Sequence, residues 1–224
     1  MNLVVVAHPD DEILGFGATG ASLVARGEIV QAIILSGSVD ARTKRPLDDE
    51  LKSDISQSNE MLGFNSPELG SFPNIKMNTI PHLDLVQFIE KAIEKYEPNR
   101  IFTHHPSDLN DDHRHVSRAC AAAFRLFQRR GSLKPTTSLL YMEISSATDW
   151  AIPEAQLPFI PNVYFDSTNF IDLKLGAMSC YRNVMRPAPH PRSEEAIKGL
   201  AAYRGSQAGY LYAEAFQLAF QRGL

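Results

Sequence analysis

Leu3-Val4-Val5-Val6-Ala7-His8-Pro9-Asp10-Asp11-Glu12 runs from unbroken apolar residues straight into charge. Its apolar half reads as a short strand buried on both faces. The chain then switches at once to a histidine and three carboxylates. Ligands bind outside the carboxyl ends of the strands in open α/β sheets, so the switch marks a strand end and a candidate site together. A histidine with a carboxylate three residues on, and a second carboxylate beside it, is a metal half-site with a spare base. Such a half-site needs a ligand from elsewhere. Asp112-His113, again downstream of an apolar run (Ile101-Phe102-Thr103), offers one.

Outward from this stretch, strands and helices alternate. Gly15 to Ala25 reads as a helix closed by Gly27, and Ile29 to Ser36 as a second buried strand. Leu47, Leu51, Ile55 and Leu62 predict a helix, and Leu69 to Phe72 a short strand. The apolar stripe Leu83, Leu85, Val86, Ile89, Ala92 and Ile93 predicts a helix over His82–Tyr96, stopped by Pro98. A strand over residues 101–103 leads into a helix from His113, with Asp111 or Asp112 as its cap. Ser138 to Ile144 and Val163 to Phe165 read as strands, and Asn169 to Tyr181 as a helix. The tail reads as helices over Ser193–Tyr203 and Tyr210–Phe220. The alternation implies one domain over 1–224 with a mostly parallel sheet covered on both faces.

Composition bounds the function. At 224 residues with 44% hydrophobic and 21% charged content, the chain fits one soluble globular domain. A net charge of −4 gives nucleic acid no electrostatic foothold. No apolar run approaches the roughly 20 residues that span a bilayer. Asn2 enters the first strand without a basic leader, and Cys120 and Cys180 read as free thiols, so the cytoplasm is the expected compartment.

His8, Asp11 and His113 together match a hydrolytic zinc site, which takes three protein ligands and leaves a position open for water. Asp10 is the candidate general base, able to take a proton and return it to a leaving amine. Asp112 is the candidate partner that orients the imidazole of His113. Two histidines and a carboxylate also describe a non-haem Fe(II) centre, and the extra carboxylate Asp10 favours hydrolysis. Gly15-Phe16-Gly17-Ala18-Thr19-Gly20 matches the dinucleotide pattern G-x-G-x-x-G, with Asp40 at ribose distance. Against that oxidoreductase reading, His8 to Leu14 intervene after the strand and put carboxylates where a pyrophosphate would lie. Close packing of a small-residue helix on the sheet is the alternative.

Ala7-His8-Pro9-Asp10-Asp11-Glu12 and Asp112-His113-Arg114 resemble the paired signature of the PIG-L / LmbE-like zinc-dependent N-deacetylases. His105 to Asn110, Lys174 to Tyr181 and the tail from Tyr203 extend the resemblance over nearly the whole chain. It implies a Rossmann-like three-layer sandwich, Zn2+ (or Fe2+) on His8, Asp11 and His113, and Asp10 as base. The implied substrate is a small N-acetylated amino sugar, of the kind met in bacterial surface-polysaccharide synthesis. A non-sugar amide or a thiol conjugate is the nearest alternative. His190, within Pro189-His190-Pro191-Arg192-Ser193, is the candidate stabiliser of the oxyanion. Arg42, His105, Asp108 and Arg192 are candidate substrate contacts, with Lys44 and Arg45 beside Arg42. Of the adjacent pair His104-His105, His105 is expected to face the site. The chain departs from several members, which read H-P-D-H where Asn110 and Asp111 stand here, and which carry Arg and Glu where Lys52 and Asp54 stand. A homo-oligomer is compatible with all of this.

Overall fold

The computed structural model describes residues 1–41, 43–152 and 158–223. Seven strands form one sheet in the order β3-β2-β1-β4-β5-β7-β6. They are β1 (Asn2–Val6), β2 (Val30–Ile34), β3 (Glu68–Leu69), β4 (Arg100–His104), β5 (Ser138–Met142), β6 (Val163–Asp166) and β7 (Ala213–Gln221). The first five are parallel, and β7 runs antiparallel between β5 and β6. The helices are α1 (Asp11–Ala25), α2 (Asp48–Met61), α3 (His82–Tyr96), α4 (Asp111–Ala123), the short α5 (Leu126–Arg129), α6 (Ile171–Cys180) and α7 (Glu194–Ala208). No helix among the described residues is long and apolar enough to cross a membrane.

Alternation along β1 sorts the core into two layers. Val4 and Val6 join the cluster made with α1, α2, α6 and α7, where Phe16, Ile55, Met178 and Ile197 are buried. Leu3, Val5 and Ala7 join the opposite cluster, where Ile89 of α3 and Val116 and Cys120 of α4 are buried. A strand covered on both faces needs apolar residues at every position, which is why residues 3–7 show no polar alternation. Cys120 and Cys180 are free thiols in α4 and α6.

Strand order reverses between β1 and β4. From β1 the chain steps to β2 and β3 on one side, and from β4 to β5 on the other. This is the topological switch point, the place where loops diverge and leave a crevice. His8 follows β1, and His104 ends β4, at that same edge.

The expected helix over Tyr210–Phe220 is instead strand β7. Ala, Glu, Gln and Leu are good helix formers, so local composition pointed to a helix. Pairing with β5 on one side and β6 on the other overrides it. A register shift lets Leu139 face Phe220 and Leu140 face Leu218, so Ala219 is a bulge. Leu218 therefore packs on the α1 side and Phe220 on the α4 side, which removes the period-2 signal from the sequence.

The glycine pattern of α1 is a packing device. Gly15, Gly17 and Gly20 lie inside the helix, not at the strand-to-helix turn. A Cβ on Gly15 would lie 2.4 Å from Ile144, and one on Gly20 would lie 2.2 Å from the ring of Phe64. The small residues let α1 sit against its neighbours and hold no cofactor turn.

Candidate metal centre

His8, Asp11 and His113 converge at the switch point, all buried, with ligand atoms within 4.8 Å of one another. Asp11 Oδ2 is the centre of the group. It lies 3.4 Å from His8 Nδ1 and 3.2 Å from His113 Nε2. It also accepts the backbone N–H of His8 at 3.0 Å, which ties the start of α1 to the end of β1. Tetrahedral bonds of about 2.0–2.1 Å would set ligand atoms roughly 3.4 Å apart, so the spacing suits a cation.

Each imidazole has its far nitrogen held by a carboxylate. His8 Nε2 meets Asp112 Oδ2 at 2.9 Å, and His113 Nδ1 meets Asp108 Oδ2 at 3.0 Å. Such partners fix the tautomer and turn the other nitrogen to the metal. The expectation that Asp112 orients His113 is corrected: Asp112 serves His8, and Asp108 serves His113. Neighbours in sequence at the start of a helix point to different sides, so Asp112 turns away from the ring beside it. Asp112 is itself fixed by the N–H groups of Ile75 at 2.6 Å and Met77 at 2.9 Å. To present its N–H there, Ile75 adopts φ 56°, an outlier for a β-branched residue. Asn110, not Asp111 or Asp112, caps α4 by accepting from Asp112 N.

The electrostatics favour a cation. Burial disfavours protonation of His113, yet Asp11 and Asp108 outweigh it and push its pKa up to about 10. Burial likewise opposes the charge on Asp11, and His113, His8 and His104 hold its pKa well below the usual range. A proton on His113 thus occupies the place a metal would take, and metal binding would displace it. Asp108 Oδ1 is buried without a hydrogen-bond partner, which leaves negative charge behind the group; His104 Nδ1 is buried and unpartnered as well.

His104, not His105, joins the cluster. Its ring stacks on His113 with centroids 3.8 Å apart, and its Nε2 accepts the N–H of Ala7 at 2.8 Å. The last paired residues of β1 and β4 are Val5 and Thr103, so the ring takes the next N–H in the ladder. Burial pushes the pKa of His104 well below its ordinary value, so it stays neutral. His105 turns to an aromatic pocket, edge-on to Tyr141 and Phe159.

Asp10 sits beside this cluster in a left-handed conformation, φ 98°, with its side chain buried. Glu12 Oε2 accepts the Asp10 N–H at 3.0 Å and holds that conformation. Tyr181 OH and Asn59 Nδ2 donate to Glu12 Oε1 in turn. Burial raises the Glu12 pKa to about 7. This network escaped the sequence reading; the buried-length apolar run ending in three acids was its only signal. Arg192 Nη1 reaches Asp10 Oδ2 at 3.1 Å, and its Nε donates to Ser146 Oγ at 2.9 Å. Arg192 is thus engaged with Asp10.

His190 Nδ1 accepts the N–H of Arg192 at 3.0 Å, so the neutral ring carries its proton on Nε2. Burial, then Arg192 and Arg186, lower its pKa. Trp150 meets this ring edge-on at 5.7 Å and is 46% exposed. Lys52 is exposed, whereas Asp54 is buried and paired with Arg182 at 3.0 Å. Arg42 lies outside the described residues. Arg45 pairs with Asp40 at the surface.

Known proteins share this fold and part of this sequence. The uncharacterized deacetylase YaiS of Escherichia coli (strain K12) is 30% identical over 152 residues, covering 62% of this chain and 77% of that one. The N,N′-diacetylchitobiose deacetylase from Pyrococcus horikoshii superposes with a TM-score of 0.78 at 19% identity, covering 97% of this chain and 82% of that one. GalB, the 4-carboxy-2-hydroxymuconate hydratase from Pseudomonas putida KT2440, superposes with a TM-score of 0.78 at 20% identity, covering 100% of this chain and 97% of that one. At these identities the two structures speak to the fold alone. The PIG-L family model, described as GlcNAc-PI de-N-acetylase, matches residues 3–124, a span that carries His8, Asp10, Asp11, Asp108 and His113, and the chain belongs to that family.

Proposed function

We propose that this chain hydrolyses the acetamide of an N-acetylated amino sugar, releasing acetate and a free amine. The observation that carries the reading is the convergence of His8, Asp11 and His113 beside a buried Asp10, in a chain of a de-N-acetylase family. The fold also houses a hydratase, so the fold alone does not decide; the family match weighs for the amide.

His8 Nδ1, Asp11 Oδ2 and His113 Nε2 would hold the cation, zinc or ferrous iron. When bound, the cation supplies Lewis acidity at the amide carbonyl and brings the pKa of a water to about 7. Asp10 is placed to take a proton from the water that attacks the carbonyl carbon. Arg192 and Glu12 fix Asp10 for this, one at the carboxylate and one at the backbone. Asp10 then delivers the proton to the sugar nitrogen as the C–N bond breaks. His190 offers Nε2–H to the oxyanion, where an oriented donor acts most strongly.

The test is acetate and amine release from a panel of N-acetylated amino sugars by the zinc- or iron-loaded protein. Equal amounts of the two products from at least one sugar are expected. Metal-loaded protein that releases neither from any of them contradicts the reading.

A further inference from the structure

Arg192 borders an open cleft of about 490 Å³. Lys44, Ser146, Asn183, Arg186, His190 and Arg192 line it. Three of these are cations, and no described lining residue is a carboxylate. The chain as a whole has 26 acidic and 22 basic side chains, so such a cleft is not a sample of the average surface. Other exposed basic groups nearby are paired, Arg45 with Asp40 and Arg182 with Asp54. Lys44 and Arg186 make no ion pair with any described residue. Asp149 also faces His190, but its carboxylate accepts the N–H of Ala147 at 3.1 Å. With Arg192 paired to Asp10 and Asp149 one carboxylate beside His190, Lys44 and Arg186 leave the cleft net positive next to the candidate base.

We propose that the cleft seats a phosphate or diphosphate carried by the substrate, so that the sugar deacetylated is a phosphorylated one. This rests on the deacetylase reading and narrows it. A guanidinium fork matches two phosphate oxygens, and an ammonium adds a point charge. Arg186 and Lys44 supply one of each. Arg192 links the two halves: it grips Asp10 with Nη1 and borders the cleft, so a phosphate seated there orients the sugar relative to the base. The volume falls in the ordinary range of small-molecule sites, about 300–1,000 Å³. The same chemistry is found in a sugar 1-phosphate, a nucleotide diphosphate-sugar and a prenyl diphosphate-sugar, and the assay includes all three.

Calorimetry on the metal-loaded protein compares N-acetylglucosamine with its 1-phosphate, its uridine-diphosphate form and a short prenyl diphosphate form. At least one phosphorylated form is expected to bind at least about tenfold more tightly than the neutral sugar, a gap of about 1.4 kcal/mol. That gap should shrink as salt rises. The double variant Lys44→Ala, Arg186→Gln changes exposed side chains only and should reduce the ratio of affinities towards one. A ratio near one in the parent chain, or a ratio that survives in the double variant, overturns the phosphate seat. Acetate release on the same samples separates this from the deacetylase reading. Hydrolysis of the neutral and phosphorylated sugars alike leaves deacetylation standing and overturns the seat. A binding preference with no acetate from any form overturns deacetylation, and with it the assignment of the anion to a substrate.

Discussion

Two clusters of buried charge adjoin α1, one at its first residue and one along its middle, and they differ in how their valences are met. At one, Lys174 Nζ donates to Glu214 Oε1 at 2.7 Å and to the Leu14 carbonyl at 2.6 Å. Glu214 in turn accepts the N–H groups of Thr19 at 2.7 Å and Ala18 at 3.2 Å. One cation meets one anion, and both are hydrogen-bonded to the helix between them. At the switch point, Asp11, Asp108 and Asp112 surround His8 and His113, and buried nitrogen and oxygen atoms are left without partners. Burial of charge is common to both and marks neither as functional. An excess of anion aimed at imidazole nitrogens is what distinguishes a place for a cation from a structural tie.

Substitutions sharpen this contrast. The largest effect is expected at Asp10→Asn: metal content stays, and turnover falls by about 10²–10⁴, the usual contribution of a general acid–base. Turnover within a few-fold of the parent would remove Asp10 from that role. Lys174→Met is expected to leave Glu214 buried and unpaired and to destabilise the chain by about 3–5 kcal/mol. Denaturant unfolding measures this, and metal content per folded chain should not change. If Lys174→Met lost the metal while remaining folded, the two clusters would not be independent.

A smaller effect is expected from Asp108→Asn, which removes the charge behind His113 and should weaken metal binding by about 10–100-fold. Competition with a chelating dye reads the change, and an unaltered affinity would make Asp108 a loop brace only. The smallest concerns the surface pair Glu28–Arg100. Despite partial burial, Arg100 and Asn2 lower the pKa of Glu28. A depressed carboxyl contributes stability above its unfolded pKa and loses it as pH falls through the folded value. Glu28→Gln should therefore cost less than about 1 kcal/mol at neutral pH and nothing in strong acid. A difference that persisted in acid would place its origin in packing.

The sequence was most legible where one face of an element answers to one core. The apolar stripe of α3 predicted His82–Tyr96, and the helix has those bounds. The run from Leu3 to Ala7 announced a strand covered on both sides. The tail was not legible, because β7 is held by partners far away in sequence and its bulge hides the alternation. At the site, residue types and spacing named three residues that converge, His8, Asp11 and His113, while side-chain direction was hidden. That Asp108 rather than Asp112 backs His113, and that His104 rather than His105 lies beneath it, follows from strand register and loop geometry. The hold of Ile75 on Asp112 requires a strained backbone that no local pattern reveals.

Metal analysis of the purified chain and of His113→Ala decides whether His8, Asp11 and His113 hold a cation. About one zinc or iron per parent chain is expected, with loss of that metal in a variant whose circular dichroism is unchanged. A parent chain that binds no divalent cation when offered one, or a folded His113→Ala that keeps it, would contradict the account.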